Sequence, residues 1–149
     1  MKTYIFKHSL LGVILGLSIL GCTEGDKFDY NKNMAFITGT ETAPVTKFVV
    51  EDTPSSYAVT ASTTDKVDKD VNVKFAIDRS LVETYNNEHN TKYYAIPEGA
   101  VTLEDADAVI QTGKAFSTPA TVKVISTEDF AEGRVYVVPV TMVEVDGLE

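Results

Sequence analysis

Between Val71 and Ile77 the chain alternates strictly. Val71, Val73, Phe75 and Ile77 are separated by Asn72, Lys74 and the small Ala76. Successive side chains of a strand point to opposite faces, so this pattern predicts a half-buried strand with one apolar face. Tyr57, Val59 and Ala61 alternate with Ala58, Thr60 and Ser62 in the same way. Shorter candidate strands lie at residues 34–37, 47–50, 101–103, 108–110 and 121–125. A longer one covers 134–143, where Pro139 cannot donate to a ladder and so requires a bulge or a sheet edge. Turn-forming clusters separate these runs: Thr53-Pro54-Ser55-Ser56, residues 65–70, Pro97-Glu98-Gly99, Thr112-Gly113-Lys114 and Glu132-Gly133. Short strands with regular punctuation predict an all-β fold, a β-sandwich. No internal repeat is visible.

One segment breaks the period of two. The spacing of Leu81, Val82 and Tyr85 predicts a helix over about 79–90, with those three residues as its buried stripe. Asp78 or Ser80 is placed to cap it, and Ser80 with Glu83 fits a capping box. Asn90 is suited to end it in the left-handed conformation. A helix here would cross between the two sheets.

The start of the chain has a different pattern. Lys2 and Lys7 precede an apolar run over residues 10–20 that has no polar face. About 11 residues suits the core of a signal peptide and is short for a membrane span. The run ends in Ile19-Leu20-Gly21-Cys22, which resembles the lipobox of bacterial lipoproteins. The resemblance implies a diacylglycerol on the Cys22 thiol and cleavage just before it. Residues 1–21 are then a signal peptide and 22–33 a lipidated, polar tether. The sandwich domain follows at 34–146. Acidic residues soon after the cysteine, Glu24 and Asp26, resemble the surface-export signal of Bacteroidetes lipoproteins. The expected location is the outer membrane, lipid-anchored, at the cell surface.

Charge and composition narrow the chemistry. The chain carries 13 basic and 22 acidic residues, a net charge of −9. Removing residues 1–21 takes away two lysines and no acid, so the remainder stands at −11. Such a surface repels phosphate backbones, which argues against nucleic-acid partners, and anionic lipid headgroups. Cys22 is the single cysteine, so no disulfide can form within the chain and the apolar core must carry the fold.

No reaction centre emerges from the residue types. After residue 21 the one histidine is His89, too few nitrogen and sulfur ligands for a zinc site. No Gly-x-Ser-x-Gly turn accompanies it, and its place near a helix end suits an exposed imidazole. The pairs Glu51/Asp52, Glu104/Asp105 and Glu128/Asp129 fall at expected loops and strand ends, where solvent screens them. Asp65, Asp68 and Asp70 lack the glycine and closing glutamate of an EF-hand, and a solvated turn is the simpler reading. The expectation is no enzyme, no metal and no cofactor. Sugar-binding surfaces use flat aromatic rings, and the chain has no tryptophan. Tyr93 and Tyr94 are the candidate ligand-contacting pair, with packing in the core or at its rim the simpler reading of both. Neighbours on an extended segment face opposite ways, so Tyr94 is exposed if Tyr93 is buried.

From residue 78 onward a further resemblance appears. Leu81-Val82-Glu83-Thr84-Tyr85-Asn86 is followed by Tyr93, Pro97-Glu98-Gly99, Val109-Ile110 with Gly113, and Tyr136-Val137-Val138-Pro139-Val140. Their order and spacing resemble an N-terminal domain of Bacteroidetes surface lipoproteins, the domain of unknown function 1735 family. In relatives it precedes a glycoside hydrolase family 18 endo-β-N-acetylglucosaminidase or a concanavalin-like, laminin-G-type domain. The similarity covers roughly residues 34–145. It implies an immunoglobulin-like sandwich with a place in glycan utilisation, Tyr85 and Tyr136 as core anchors, and Pro97, Gly99 and Gly113 as turn formers. Val138 stands where relatives often carry leucine. The relatives' enzymatic activity belongs to their downstream domain and does not transfer.

Three readings follow: a non-catalytic accessory or spacer module in glycan capture; a carbohydrate-binding module that uses its tyrosines; and a fimbrial or assembly subunit that polymerises by strand addition. The expected partners are the membrane, through the lipid, and a glycan or neighbouring glycan-utilisation proteins.

Overall fold

The structure, a computed structural model, describes residues 32–148. Cys22, the apolar run before it and most of the expected tether lie outside the described residues. Among the described residues ten strands and one helix follow in order: β1 Ala35–Ile37, β2 Ser55–Val59, β3 Ala61–Thr63, β4 Val71–Ile77, α1 Leu81–His89, β5 Tyr94–Ala95, β6 Val101–Glu104, β7 Asp107–Ile110, β8 Ala120–Val124, β9 Tyr136–Val137 and β10 Val140–Asp146.

Two antiparallel layers form an all-β sandwich. One has the order β2–β8–β6, and the other β10–β4–β7. β3 continues β2 beyond Thr60 and pairs with β1, Phe36 opposite Ser62. Thr60 separates the two strands, and its carbonyl accepts the Thr38 amide at 2.9 Å. The segment before β8 joins the layers at one corner, through bridges Ser62–Phe116 and Ile110–Ser117.

The strands with the cleanest alternation are the central ones of each layer. β4 buries Val71, Val73 and Phe75 and exposes Asn72 and Lys74. β8 buries Ala120, Val122 and Val124. Phe75, Ala108, Ile110 and Ala120 pack in one cluster that draws on both layers. Val101, Val122 and Val124 form a second with Ile96 and Ala100. Val59, Leu103 and Val140 border both clusters, so the core is continuous.

The sequence pattern and the structure part in four places. Residues 47–50, expected as a strand, pair with nothing among the described residues. The expected 134–143 strand is two strands: β9 pairs in parallel with β5 and β10 antiparallel with β4, with the break at Val138-Pro139. Pro139 lacks an N–H, and its carbonyl accepts the Asp78 amide at 3.0 Å. The capping box does not form. Ser80 donates its hydroxyl and amide to Asp78 Oδ1 at 2.6 and 3.0 Å, so Asp78 satisfies the helix start. Of the expected helix stripe only Val82 is buried, while Leu81 is 41% exposed. The helix is short, and two adjacent positions cannot both face the sheet.

Other expectations hold. Asn90 ends α1 at φ 51°, ψ 43°. Gly99 (φ 81°) closes a turn in which the Ala100 amide reaches the Pro97 carbonyl at 3.2 Å. That left-handed position favours glycine.

Asp70 ties two loops together. Its Oδ1 accepts the Thr112 amide at 2.7 Å and the Thr112 hydroxyl at 2.9 Å. Both bonds favour the charged form and hold this carboxyl below the ordinary range. In the folded state Asp70 therefore stays ionised where the unfolded chain would bind a proton. Its contribution is present above the ordinary carboxylate pKa and fades as pH falls through the lowered one. The Thr112 amide resonance should titrate below the ordinary aspartate range and lose that titration in Asp70→Asn, as NMR would show. Phe75 is the largest fully buried side chain. Phe75→Ala should cost about 3–5 kcal/mol by urea denaturation.

Candidate functional site

The site is assembled where the chain leaves α1. Asn86 is the organiser. Its Oδ1 accepts the Tyr93 amide at 2.9 Å and the Thr91 hydroxyl at 2.8 Å. Its Nδ2 donates to the Tyr93 carbonyl at 2.9 Å. One amide side chain thus pairs with both backbone groups of Tyr93, as a neighbouring strand would. This pins the 90–93 turn and aims the next residue outward.

The two tyrosines then separate as extended neighbours do. Tyr93 is half-buried, its ring stacked on Tyr85 at 6.0 Å and 20°. His89 covers Tyr85 at 4.2 Å and is itself exposed. Tyr94 is 42% exposed. Its amide bonds the Val135 carbonyl at 2.9 Å, and it sits opposite Tyr136 in the β5–β9 pair.

That pairing brings together residues that lie far apart in the chain. The Arg134 guanidinium lies 4.5 Å above the Tyr94 ring. Tyr136 lies 6.0 Å from Tyr94, tilted by 49°, and stacks on Phe130 at 4.4 Å. The Tyr136 hydroxyl accepts the Ala131 amide at 3.0 Å, so this ring is held from both ends. Tyr85 and Tyr136, expected in the core, are half-buried members of two aromatic stacks at its rim. Chemically the patch offers an exposed ring, a cation resting on it and a fixed aromatic support. Such a surface suits a neutral or anionic ring-bearing ligand.

Sequence reasoning missed Arg134 and Phe130. The signal that could have found them is the parallel β5–β9 pairing, which no local pattern announces. Among the described residues no group of three or more His, Cys, Asp or Glu side chains is placed to hold a metal. Glu51/Asp52, Glu104/Asp105 and Glu128/Asp129 are all exposed, and Glu104 pairs with Lys123 at 3.3 Å.

A second feature lies beside the aromatic patch. A cleft of about 1050 Å³ opens between the β2–β8–β6 layer, α1 and the 134–140 segment. Val59, Val122, Val124, Ile96 and Val138 are among its walls, and Val45, Thr46, Phe48 and Val50 line it as well.

A family model described as a "-like, N-terminal domain" matches residues 30–149, and the chain belongs to that family of N-terminal domains. Solved Bacteroides structures share the fold. A candidate carbohydrate-binding protein from Bacteroides ovatus superposes with a TM-score of 0.58 at 24% identity, over 68% of this chain and 30% of its own. A multidomain protein including the domain of unknown function 1735, from the same species, gives 0.50 at 16% identity, over 61% and 32%. A Bacteroides ovatus protein of unknown function gives 0.55 at 14% identity, over 76% and 40%. The family expected from the motifs is therefore the one found. The chain spans about a third of the length of these structures. No curated protein matches it.

Asn86→Ala should lower stability by about 1–3 kcal/mol in urea titration, because the Tyr93 N–H and C=O both lose their partner. Asn86→Asp, which keeps the acceptor and loses the donor, should fall between.

Proposed function

We propose that this domain is the non-catalytic N-terminal module of a lipid-anchored surface protein. Cys22 holds it at the outer membrane, and it serves as an accessory in glycan capture and utilisation. The observation that carries this reading is the family match over residues 30–149, which accounts for the whole described sandwich. The relation to a candidate carbohydrate-binding protein supports the glycan context. The lipobox-like Ile19-Leu20-Gly21-Cys22 supports the anchor. Asn33 is fixed to the 64–65 turn, its Nδ2 donating to the Asp65 carbonyl at 3.0 Å. The 11 steps from Cys22 to Asn33 allow at most about 40 Å between lipid and domain. The module would therefore work close to the membrane.

A second reading is favoured by one observation, the exposed Tyr94 ring with Arg134 upon it. In that case the domain itself contacts sugar. A glycan array that includes N-glycans and mucin-type chains separates the two. The binding-module reading expects a reproducible hit that Tyr94→Ala weakens at least tenfold. The accessory reading expects a blank from the folded protein. For the anchor, Cys22→Ser should abolish incorporation of labelled palmitate and release the protein from the membrane fraction. Retention of label in that variant would overturn the lipid assignment.

A further inference from the structure

Residues 45–50 are built like a strand and are not paired as one. The segment reads Val45-Thr46-Lys47-Phe48-Val49-Val50, rich in β-branched and aromatic residues. Among the described residues, no backbone–backbone hydrogen bond involves residues 44–50. From Thr46 to Val50 the side chains nevertheless alternate. Val45 and Thr46 line the cleft together, then Phe48 and Val50 do, and Val50 packs against the second core cluster. Lys47 and Val49 do not line it, and Val49 is 74% exposed.

The neighbouring strand has no second partner among the described residues. β2 pairs with β8 along one edge and is the outermost strand of the β2–β8–β6 sheet. A hairpin turning through residues 51–54 would set Val50 opposite Ser55, Val49 opposite Ser56 and Phe48 opposite Tyr57. The Phe48 and Tyr57 rings already lie 5.6 Å apart, the side-chain contact that this register requires. Tyr57 lines the cleft, as Phe48 does. Closing an apolar cleft of this volume also restores packing that its walls lack while it is open.

We propose that residues 46–50 are a guard strand. It zips onto β2 with Phe48 opposite Tyr57, closes the apolar cleft and blocks the β2 edge against strand addition by another chain. An unguarded edge with an apolar cleft beside it is a template for a foreign strand. The guard makes the resting module monomeric, and releasing it exposes the acceptor.

The test uses the full chain carrying Cys22→Ser, in mild detergent, so that introduced thiols are the only ones. Val49→Cys with Ser56→Cys places thiols at opposed outward positions. Lys47→Cys with Ser56→Cys is the control, two residues out of register. The first pair should form an intrachain disulfide at least ten times faster than the second. Phe48→Asp, which removes the inward anchor, should tighten self-association at least tenfold by analytical ultracentrifugation, while the cross-linked form stays monomeric. Equal oxidation of the two pairs would overturn the register. Disulfides formed mainly between chains would assign the acceptor edge to a second copy instead of the guard. Unchanged self-association in a folded Phe48→Asp variant would overturn the blocking role, and the cross-linking comparison stands even if that variant does not fold.

Discussion

Everything in this domain rests on two central strands meeting across one apolar layer. β4 and β8 each bury alternate residues, and their inward faces are built from alanine, valine and one phenylalanine. Those are small or stiff side chains that fill a thin sandwich without polar atoms to satisfy. With Cys22 as the chain's single cysteine, no internal cross-link can substitute for this contact. The outer strands β2, β6, β7 and β10 are positioned by pairing with these two, and so are the loops that carry the surface features.

The aromatic patch inherits its geometry from that core. The β4 strand leads into α1, and α1 delivers Asn86 to the backbone of Tyr93. That clamp sets which tyrosine points inward. Pairing of β5 with β9 then supplies Arg134 and Tyr136. Rigid aromatics held at a sandwich rim lose little entropy when they meet a ligand, which is why such a patch suits recognition more than bond-making chemistry.

Much of the fold was legible because a buried central strand leaves a period-two signature in its own residues. Val71 to Ile77 and residues 120–124 show it without help from neighbours. The edges were less legible. Residues 47–50 have strand composition, but a strand also needs hydrogen-bonding partners, and composition cannot supply them. Pro139 signalled a break, and only the pairing of its flanks showed that the two halves join different neighbours in opposite senses.

By itself the sequence determined the alternation that makes a sandwich, the left-handed Asn90 and Gly99, the opposite facing of Tyr93 and Tyr94, and the ordered motifs by which the family could be anticipated. These are properties of short stretches, set by local stereochemistry and by which side of a strand or helix each residue occupies. Only the tertiary structure decided that Asp78 and not Ser80 satisfies the helix start, that Arg134 rests on Tyr94, and that the Phe48 ring lies against Tyr57. The last two depend on contacts between segments that packing brings together. Where several partners are sterically possible, the core's geometry selects among them, and that choice is not written in any one stretch of chain.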